Sequence, residues 1–272
     1  MRKLLRIGIA GCGAIGSSLA KSVAADFTGK AELTGLYDVE TEKAYSLANK
    51  LGLKVAVLNL EELINKADLV IEASKAASSY DIARSALSFS KDIMIMSVGG
   101  LIGHYNELKA LAEEKRARVY IPSGAICGID GLKAAKCSGI KSVTLTTRKP
   151  PKAFLGVAYV LKKKIKLEDI KEDTLIFEGN ASQATRAFPQ NINVAATLSL
   201  AGIGPENTIV RIVASPSVTR NVHEIEIISD AGRIVCRSEN EIHPENPKTS
   251  YLAVLSAIGT LRQILEPVKI GT

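Results

Sequence analysis

The chain has 272 residues, which is enough for one large domain or for two of ordinary size. Hydrophobic residues make up 46% of it and charged residues 23%, and this balance excludes a largely disordered protein. The formal net charge of +7 comes from lysines and arginines spread along the chain, and only 4% of residues are aromatic, which argues against nucleic acid as a partner.

Apolar runs and cysteine spacing exclude further classes. No stretch approaches the roughly 18 consecutive apolar residues of a membrane span, and glycines interrupt the basic first segment before it could form a signal peptide. We therefore expect a cytoplasmic protein with no membrane partner. The four cysteines lie far apart without CxxC spacing, which argues against a metal site and against a disulfide framework. Each cysteine is expected to be a small buried residue.

The first half of the chain opens with a predicted strand, a glycine turn and a helix. Residues 5–10 are apolar, Gly11-Cys-Gly-Ala-Ile-Gly16 follows, and residues 17–25 have helical periodicity. In this GxGxxG arrangement the first glycine permits a tight turn, the second lets the backbone approach a pyrophosphate, and the third lets the helix pack on the strand. The helix N-terminus adds N–H groups and the positive end of a dipole. The candidate phosphate-binding residues are Gly11, Gly13, Ala14, Ile15 and Gly16.

An acidic residue ends the second predicted strand. Asp38 closes residues 31–38 and falls about 20 residues past the glycines, where a carboxylate accepts hydrogen bonds from the adenosine ribose of a dinucleotide. A carboxylate repels a 2′-phosphate and no arginine follows it immediately, so the sequence favours NAD over NADP. The alternative is that Asp38 only caps the next helix.

Strands and helices continue to alternate up to residue 122. Predicted strands at residues 67–73, 92–98 and 119–122 are separated by helical segments, which indicates a Rossmann-type, doubly wound parallel sheet. Ligands of such sheets bind outside the carboxyl ends of the strands. The small residues at those ends are either contacts for the nicotinamide half of the cofactor or ordinary turn residues: Ala73, Ser74, Ser97 and Gly99.

The pattern changes after residue 122. Short alternating segments typical of strands lie at residues 142–148, 208–214, 222–228 and 233–237. Strands clustered in this way predict an α+β domain with a mostly antiparallel sheet. We therefore assign residues 1–122 to a nucleotide-binding domain and residues 123–249 to a substrate-binding and catalytic domain. A final helix over residues 250–266 is expected to pack back on the first domain.

The three histidines are candidates for proton transfer. Side chains alternate along a strand, so His223 shares one face with Ile225 and Ile227. It is either a core residue or, if that face meets the substrate, a catalytic group whose ordinary pKa lies near neutrality. His104, at a predicted helix start, is expected to be exposed, and His243 to be structural or peripheral.

Residues 185–202 read as an apolar helix that is entered through Phe-Pro-Gln-Asn-Ile-Asn. Asn191 can cap this helix with its side-chain oxygen. Asn193 lies two residues further on and points elsewhere, because positions two apart do not share a helix face. Its amide offers both a donor and an acceptor, which suits a carboxamide or a carboxylate of a ligand.

Five motifs together resemble the L-aspartate dehydrogenase family, in the family's order and over nearly the whole chain. They are Gly11-Cys-Gly-Ala-Ile-Gly16, Pro122-Ser-Gly-Ala-Ile-Cys-Gly-Ile-Asp130, Thr147-Arg-Lys-Pro-Pro151, Phe188-Pro-Gln-Asn-Ile-Asn-Val-Ala-Ala196 and Asn246-Pro-Lys-Thr-Ser250. The resemblance implies NAD(P)-dependent oxidation of L-aspartate to iminoaspartate, which hydrolyses to oxaloacetate and ammonia. It also implies a role in NAD biosynthesis and a homodimer, with residues 123–249 as the dimerisation domain.

The resemblance also implies roles for single residues. The family's active-site histidine falls on His223, and its cofactor-contacting asparagine falls on Asn193. The family's small cofactor-contacting residue falls on Cys127, where alanine or glycine is common, with Ala125 as the alternative position. Several family members accept NADP, so both cofactors remain open.

The substrate would bring two carboxylates, so cationic groups are expected around it. Arg148, Arg186 and Lys248 are the candidates, although each could equally be a surface charge. Two other functions also remain open. One is a reductase of the dihydrodipicolinate type, whose usual histidine-rich basic motif this chain lacks, and the other is a non-catalytic NAD-binding protein on the same fold.

Overall fold

The computed structural model describes residues 3–52, 54–189, 192–244 and 246–271. The chain forms two compact units, one of residues 1–122 with 254–269 and the other of residues 123–253 with 270–272. No helix within the described residues is long and apolar enough to cross a membrane.

The first unit is a five-stranded sheet with helices between successive strands. The elements are β1 (Leu5–Ala10), α1 (Ala14–Ala25), β2 (Ala31–Tyr37), α2 (Thr41–Leu51), α3 (Leu60–Lys66), β3 (Leu69–Glu72), α4 (Ala76–Ser88), β4 (Asp92–Ile95), α5 (Tyr105–Lys115) and β5 (Val119–Tyr120). All four strand pairs are parallel, in the order β2-β1-β3-β4-β5.

The strand order places the glycine loop at the switch point of this sheet. The chain passes from β2 to β3 across β1, so the connections on the two sides of β1 lead in opposite directions. The fully buried Ile7 and Ile9 of β1 pack with Leu19 of α1 and Ile71 of β3 in one core. This burial fixes the carboxyl end of β1, where open α/β sheets bind their ligands.

The second unit contains a second five-stranded sheet. Its elements are α6 (Ile129–Ala135), β6 (Ile140–Lys149), α7 (Ala158–Lys162), β7 (Thr174–Asn180), α8 (Ala181–Ala187), α9 (Ile192–Ala201), β8 (Thr208–Ala214), β9 (Asn221–Ser229), β10 (Gly232–Asn240), β11 (Ile242–His243) and β12 (Asn246–Ser250). The strand order of the sheet is β10-β9-β6-β8-β7. The pair β6–β8 is parallel and the other three pairs are antiparallel, so the prediction of a mostly antiparallel sheet is confirmed.

Helices cover one face of this second sheet. Val143 and Leu145 of β6, together with Ile225 and Ile227 of β9, are almost completely buried in a core with residues of α6, α8 and α9. Because strand side chains alternate, every second residue of these strands belongs to the same covered face. The covered face therefore continues along β6 and β9 beyond its apolar part.

Two segments differ from the sequence prediction. The helix predicted within residues 185–202, with Asn191 as its cap, begins at Ile192 as α9, but the residues before it belong to a separate helix, α8, which ends at Ala187. Pro189 explains the interruption, since a proline disfavours the helical conformation of the residue before it, and Phe188 has φ −133° and ψ 68°. The strand predicted over residues 92–98 ends at Ile95, and Val98–Leu101 forms a 3-10 turn instead.

The last helix of the chain, α10 (Tyr251–Leu265), contributes to the core of the first unit. Ala257 and Leu261 are fully buried there and belong to the same cluster as Ile7 and Leu19. A segment from the far end of the sequence thus completes the core of the first unit.

Candidate active-site residues

The glycine loop of the first unit has the close contacts that its sequence predicts. Gly11 has φ +106°, and a Cβ there would lie 2.4 Å from the carbonyl carbon and oxygen of Ala73. A Cβ on Gly16 would lie 1.8 Å from the carbonyl oxygen of Gly11. Both positions therefore require glycine for the tight turn between β1 and α1.

The space in front of this loop suits a phosphate. Gly13 is the exposed N-cap of α1, and a Cβ there would meet nothing within 4 Å. Among the described residues no side chain caps α1, and no acidic residue lies in its first turn, so its first N–H groups and positive dipole end face that space. These residues fit the pyrophosphate of a dinucleotide, and the N–H groups of Ala14 and Ile15 are the ones that would hold it.

Asp38 follows β2 and is held by two backbone groups. Its carboxylate accepts hydrogen bonds from the N–H of Cys12 at 2.8 Å and of Glu40 at 2.9 Å. Burial, followed by the nearby charge of Asp38, raises the pKa of the Cys12 thiol to about 12, so this thiol stays protonated. Asp38 is thus tied to the glycine loop, and it does not cap α2 through its side chain, since the N-cap residue of α2 is Glu40.

A buried carboxylate that sequence reasoning missed organises the ends of β3 and β4. Glu72 is fully buried and accepts hydrogen bonds from Ser74 N at 2.8 Å, Ser74 Oγ at 2.7 Å and Ser97 N at 2.9 Å. Ser97 Oγ in turn donates to Ser74 O at 3.0 Å. The proposed cofactor-contacting residues Ser74 and Ser97 are therefore fixed to each other through Glu72. The signal in the sequence was an acidic residue at the end of an otherwise apolar strand.

In the second unit, His223 lies at the polar end of the covered sheet face. Thr147 of β6 pairs with His223 of β9, and Thr147 Oγ1 lies 3.0 Å from His223 Nδ1. The two side chains are 4% and 5% exposed. Lys149, two residues beyond Thr147 on the same strand face, is partly buried and was not among the residues predicted from sequence. Along the covered face of β6 and β9, the apolar core is thus followed by the hydroxyl of Thr147, the imidazole of His223 and the ammonium group of Lys149.

Burial controls the charge of both nitrogen groups. Burial, followed by the positive charge of Lys149, lowers the pKa of His223 to about 4. Burial lowers the pKa of Lys149 to about 8. Near neutral pH, His223 is therefore an uncharged imidazole that can accept a proton, and Lys149 is a cation in a poorly solvated place.

The three cations predicted to bind substrate carboxylates are placed differently. Arg148 lies on the opposite face of β6 from Lys149, with Nε 3.4 Å from Asp173 and Nη1 3.6 Å from Glu224. Arg186 is exposed in the last turn of α8. The side chain of Lys248 lies outside the described residues.

The proposed contact residues Asn193 and Ala125 differ in their exposure. Asn193 lies in the first turn of α9 and is exposed, while Asn191, the predicted cap, lies outside the described residues. Ala125 is buried, and its carbonyl oxygen accepts hydrogen bonds from Ser238 Oγ and Asn240 Nδ2.

The cysteine prediction is correct for one residue only. Cys12 is buried, but Cys127 and Cys137 are exposed and Cys236 is partly buried. Cys127 precedes α6 and Cys137 follows it, so both exposed cysteines lie outside regular elements of the second unit. No group of three or more metal-ligating side chains occurs in the part of the chain that the structure describes.

The other two histidines belong to other elements, one in each unit. His104 is the N-cap residue of α5 and stacks on Tyr80, with ring centroids 4.1 Å apart and half of its side chain exposed. His243 in β11 is 5% exposed and contacts the ring of Tyr251 edge-on.

Comparison with known proteins supplies the family. The profile described as "Aspartate dehydrogenase, C-terminal" matches residues 130–264, and the one described as "Homoserine dehydrogenase, NAD binding domain" matches residues 11–122. An L-aspartate dehydrogenase from Methanosarcina mazei is 47% identical over 99% of this chain and 100% of its own length. The chain belongs to the L-aspartate dehydrogenase family. Another member, from Nitrosopumilus maritimus, is 39% identical over 98% of this chain and 99% of its own.

Solved structures agree with this family membership. The crystal structure of aspartate dehydrogenase from Thermotoga maritima has a TM-score of 0.78 at 28% identity, covering 99% of this chain and 100% of that one. A homoserine dehydrogenase from Thiobacillus denitrificans has a TM-score of 0.63 at 14% identity, covering 97% of this chain and 73% of that one, and shares the fold alone. The family resemblance that the five motifs carry is thereby confirmed.

Proposed function

We propose that this member of the family is an NAD(P)-dependent L-aspartate dehydrogenase. In the reaction L-aspartate loses a hydride from Cα and a proton from its nitrogen, so that the Cα–N single bond becomes the C=N bond of iminoaspartate, and water then converts the imine to oxaloacetate and ammonia. The observation that carries the proposal is the uncharged, buried His223 beside the cation Lys149, in the unit matched by the aspartate dehydrogenase profile.

His223 is the proposed proton acceptor. Hydride can leave Cα only when the substrate nitrogen has a free lone pair, so the ammonium form must first lose a proton. For Nε2 of His223 to take that proton, Nδ1 must carry the hydrogen of the neutral ring and donate it to Thr147 Oγ1, 3.0 Å away. Thr147 therefore acts as a positioning residue that fixes the ring and selects the tautomer.

Lys149 is the proposed partner of a substrate carboxylate. It lies on the face of β6 that carries Thr147, whereas Arg148 lies on the other face near two carboxylates. The charge of Lys149 lowers the pKa of His223. A carboxylate bound to Lys149 compensates that charge, so substrate binding makes His223 a stronger base at the moment when a proton must be taken.

The first unit is the proposed cofactor site. The nicotinamide ring, when bound, accepts the hydride. The loop glycines and the N–H groups of Ala14 and Ile15 would bind the pyrophosphate, and Asp38 would accept hydrogen bonds from the adenosine ribose. The fixed carboxylate of Asp38 favours NAD over NADP, because a 2′-phosphate would be repelled. Ala73, Ser74 and Ser97 remain proposed contacts in this unit, and Ala125, Cys127 and Asn193 are proposed contacts from the second unit by family resemblance.

We also propose that the chain forms homodimers and supplies iminoaspartate to NAD biosynthesis. Support for a dimer comes from the sheet of the second unit, where Leu175, Ile209 and Val235 are 52%, 36% and 49% exposed on the face that the helices leave uncovered. Exposed apolar residues on one sheet face favour association. Size-exclusion chromatography with light scattering should give the mass of two chains.

One assay separates the proposed reaction from its alternatives. The purified chain is given NAD or NADP with L-aspartate, with L-glutamate or with L-alanine, and separately NADH with dihydrodipicolinate. We expect cofactor reduction with L-aspartate and little with the other amino acids. Oxidation of NADH by dihydrodipicolinate would indicate the reductase, and NADH binding without any turnover would indicate a non-catalytic protein.

A further inference from the structure

Asn240, the last residue of β10, carries a buried oxygen without a hydrogen-bond donor. The side chain is 3% exposed, and its Nδ2 donates to the carbonyl oxygen of Ala125 at 2.9 Å. Within the described residues its Oδ1 has no hydrogen-bond partner. The orientation of the amide is determined by Ala125, because a carbonyl oxygen can only accept a hydrogen bond and must face the NH₂ group.

The strand register places Asn240 near the proposed catalytic histidine. Asn240 pairs with Asn221, and Ser238, two residues earlier on the same strand face, pairs with His223. Ser238 Oγ also donates to the carbonyl oxygen of Ala125, at 3.0 Å. The Ala125 carbonyl oxygen thus accepts hydrogen bonds from both Ser238 and Asn240, and the bond from Ser238 does not require Asn240. The bond from Asn240 uses only its NH₂ group, so it does not account for the buried Oδ1.

A buried acceptor without a donor is unfavourable and rare in folded proteins, so it points to a partner that arrives with a ligand. A carbonyl oxygen repels a carboxylate and accepts from N–H. The matching part of an amino-acid substrate is its amino group, while its carboxylates require cations such as Lys149.

We propose that Asn240 Oδ1 binds the amino group of the substrate and so selects amino acids over dicarboxylates that lack nitrogen. This inference rests on the proposed function. Asn240 holds the nitrogen through one hydrogen bond, which leaves another of its hydrogens for His223. Asn240 is then a specificity-determining residue, and a ligand without nitrogen gains nothing from it.

The test compares Asn240→Ala with the matched control Ser238→Ala, which removes the other hydrogen bond to Ala125. For each variant the KM for L-aspartate, the inhibition constant of succinate and the dissociation constant of NADH are measured. Succinate has both carboxylates of aspartate but no amino group. In Asn240→Ala we expect the KM to rise about tenfold to a hundredfold, with the constants for succinate and NADH changed less than about twofold. Ser238→Ala should leave all three near their wild-type values.

Each other result contradicts the inference. If affinity fell equally for aspartate and succinate, or equally in both variants, Asn240 would only support the backbone around Ala125. A weaker NADH affinity with an unchanged KM would assign the oxygen to the cofactor, and no change at all would leave a buried water as its only partner. If Asn240→Ala does not fold, as seen by circular dichroism, Asn240→Ser is measured in the same way. A wild-type chain without aspartate turnover would overturn the proposed function itself, which distinguishes the two failures.

Discussion

Replacing Glu72 tests whether its carboxylate holds together the loops that follow β3 and β4. In Glu72→Ala, the N–H groups of the partly buried Ser74 and the buried Ser97 lose their acceptor. Met96 N also contacts the carboxylate, at 3.2 Å, but it keeps its bond to the main-chain oxygen of residue 72. Ser74 Oγ keeps Ser78 Oγ within 3.0 Å. Two backbone donors are therefore left unpaired.

The size of the effect follows from these two donors. An unpaired donor costs about 1–3 kcal/mol where it is buried, as at Ser97, and less where it is partly buried, as at Ser74, so Glu72→Ala should lower the free energy of unfolding by about 3 kcal/mol. Glu72→Gln keeps one oxygen and places its NH₂ group against one of the two donors, so about 2 kcal/mol is expected. Ser97→Ala is the matched control, because it removes only the Oγ bond to Ser74 and should cost about 1 kcal/mol.

Guanidinium unfolding followed by far-UV circular dichroism measures these differences, and NADH titration measures the functional consequence. We expect the order of stability to be wild type, Ser97→Ala, Glu72→Gln and Glu72→Ala, with weaker NADH binding in both Glu72 variants. If Glu72→Ala had the same midpoint guanidinium concentration of unfolding as the wild type, the role assigned to Glu72 would be refuted. Unchanged NADH affinity in a destabilised variant would show that these loops do not contact the cofactor.

Two further predictions concern the pH dependence of the second unit. The pKa of His223 falls from 6.5 to about 4 on folding, so the unfolded chain binds a proton between these pH values that the native chain does not. The free energy of unfolding should fall by up to about 3 kcal/mol as the pH drops through that window. His223→Gln should remove this part of the pH dependence. An equal pH dependence of stability in the variant would contradict the low pKa. Lys149, whose pKa is about 8, should bind succinate progressively more weakly above that pH as it loses its proton. Lys149→Arg should keep the affinity to higher pH, and a parallel decline in that variant would exclude Lys149 as the carboxylate partner.

The sequence predicted the elements whose signal is local. The glycine turn, the strand at residues 208–214 and the helix α10 were predicted closely, because apolar periodicity and glycine spacing determine them. The strand β7 and the helix α8 were missed, although Asn180 and Gln183 form a capping box at the start of α8. An Asn and a Gln three residues apart are common in loops as well, so this signal is weak without the structure.

The candidate site was harder to predict because its members meet through strand pairing. His223 could be identified from its place among Ile225 and Ile227, since one strand contains that pattern. Thr147 and Lys149 join His223 only through the pairing of β6 with β9, and the sequence does not show which face of β6 Arg148 and Lys149 take. Glu72 and Asn240 matter through contacts with residues 25 and 115 positions away, respectively, which no local pattern reveals.

The central claim is that this chain oxidises L-aspartate with NAD(P) and that His223 takes part in the chemistry. The most direct measurement is aspartate-dependent NAD reduction by the wild type and by His223→Ala, with NADH affinity determined for both. We predict turnover in the wild type and a loss of turnover of about a hundredfold or more in the variant, with NADH binding nearly unchanged. Full activity of His223→Ala, or no aspartate-dependent reduction by the wild type, would contradict the claim.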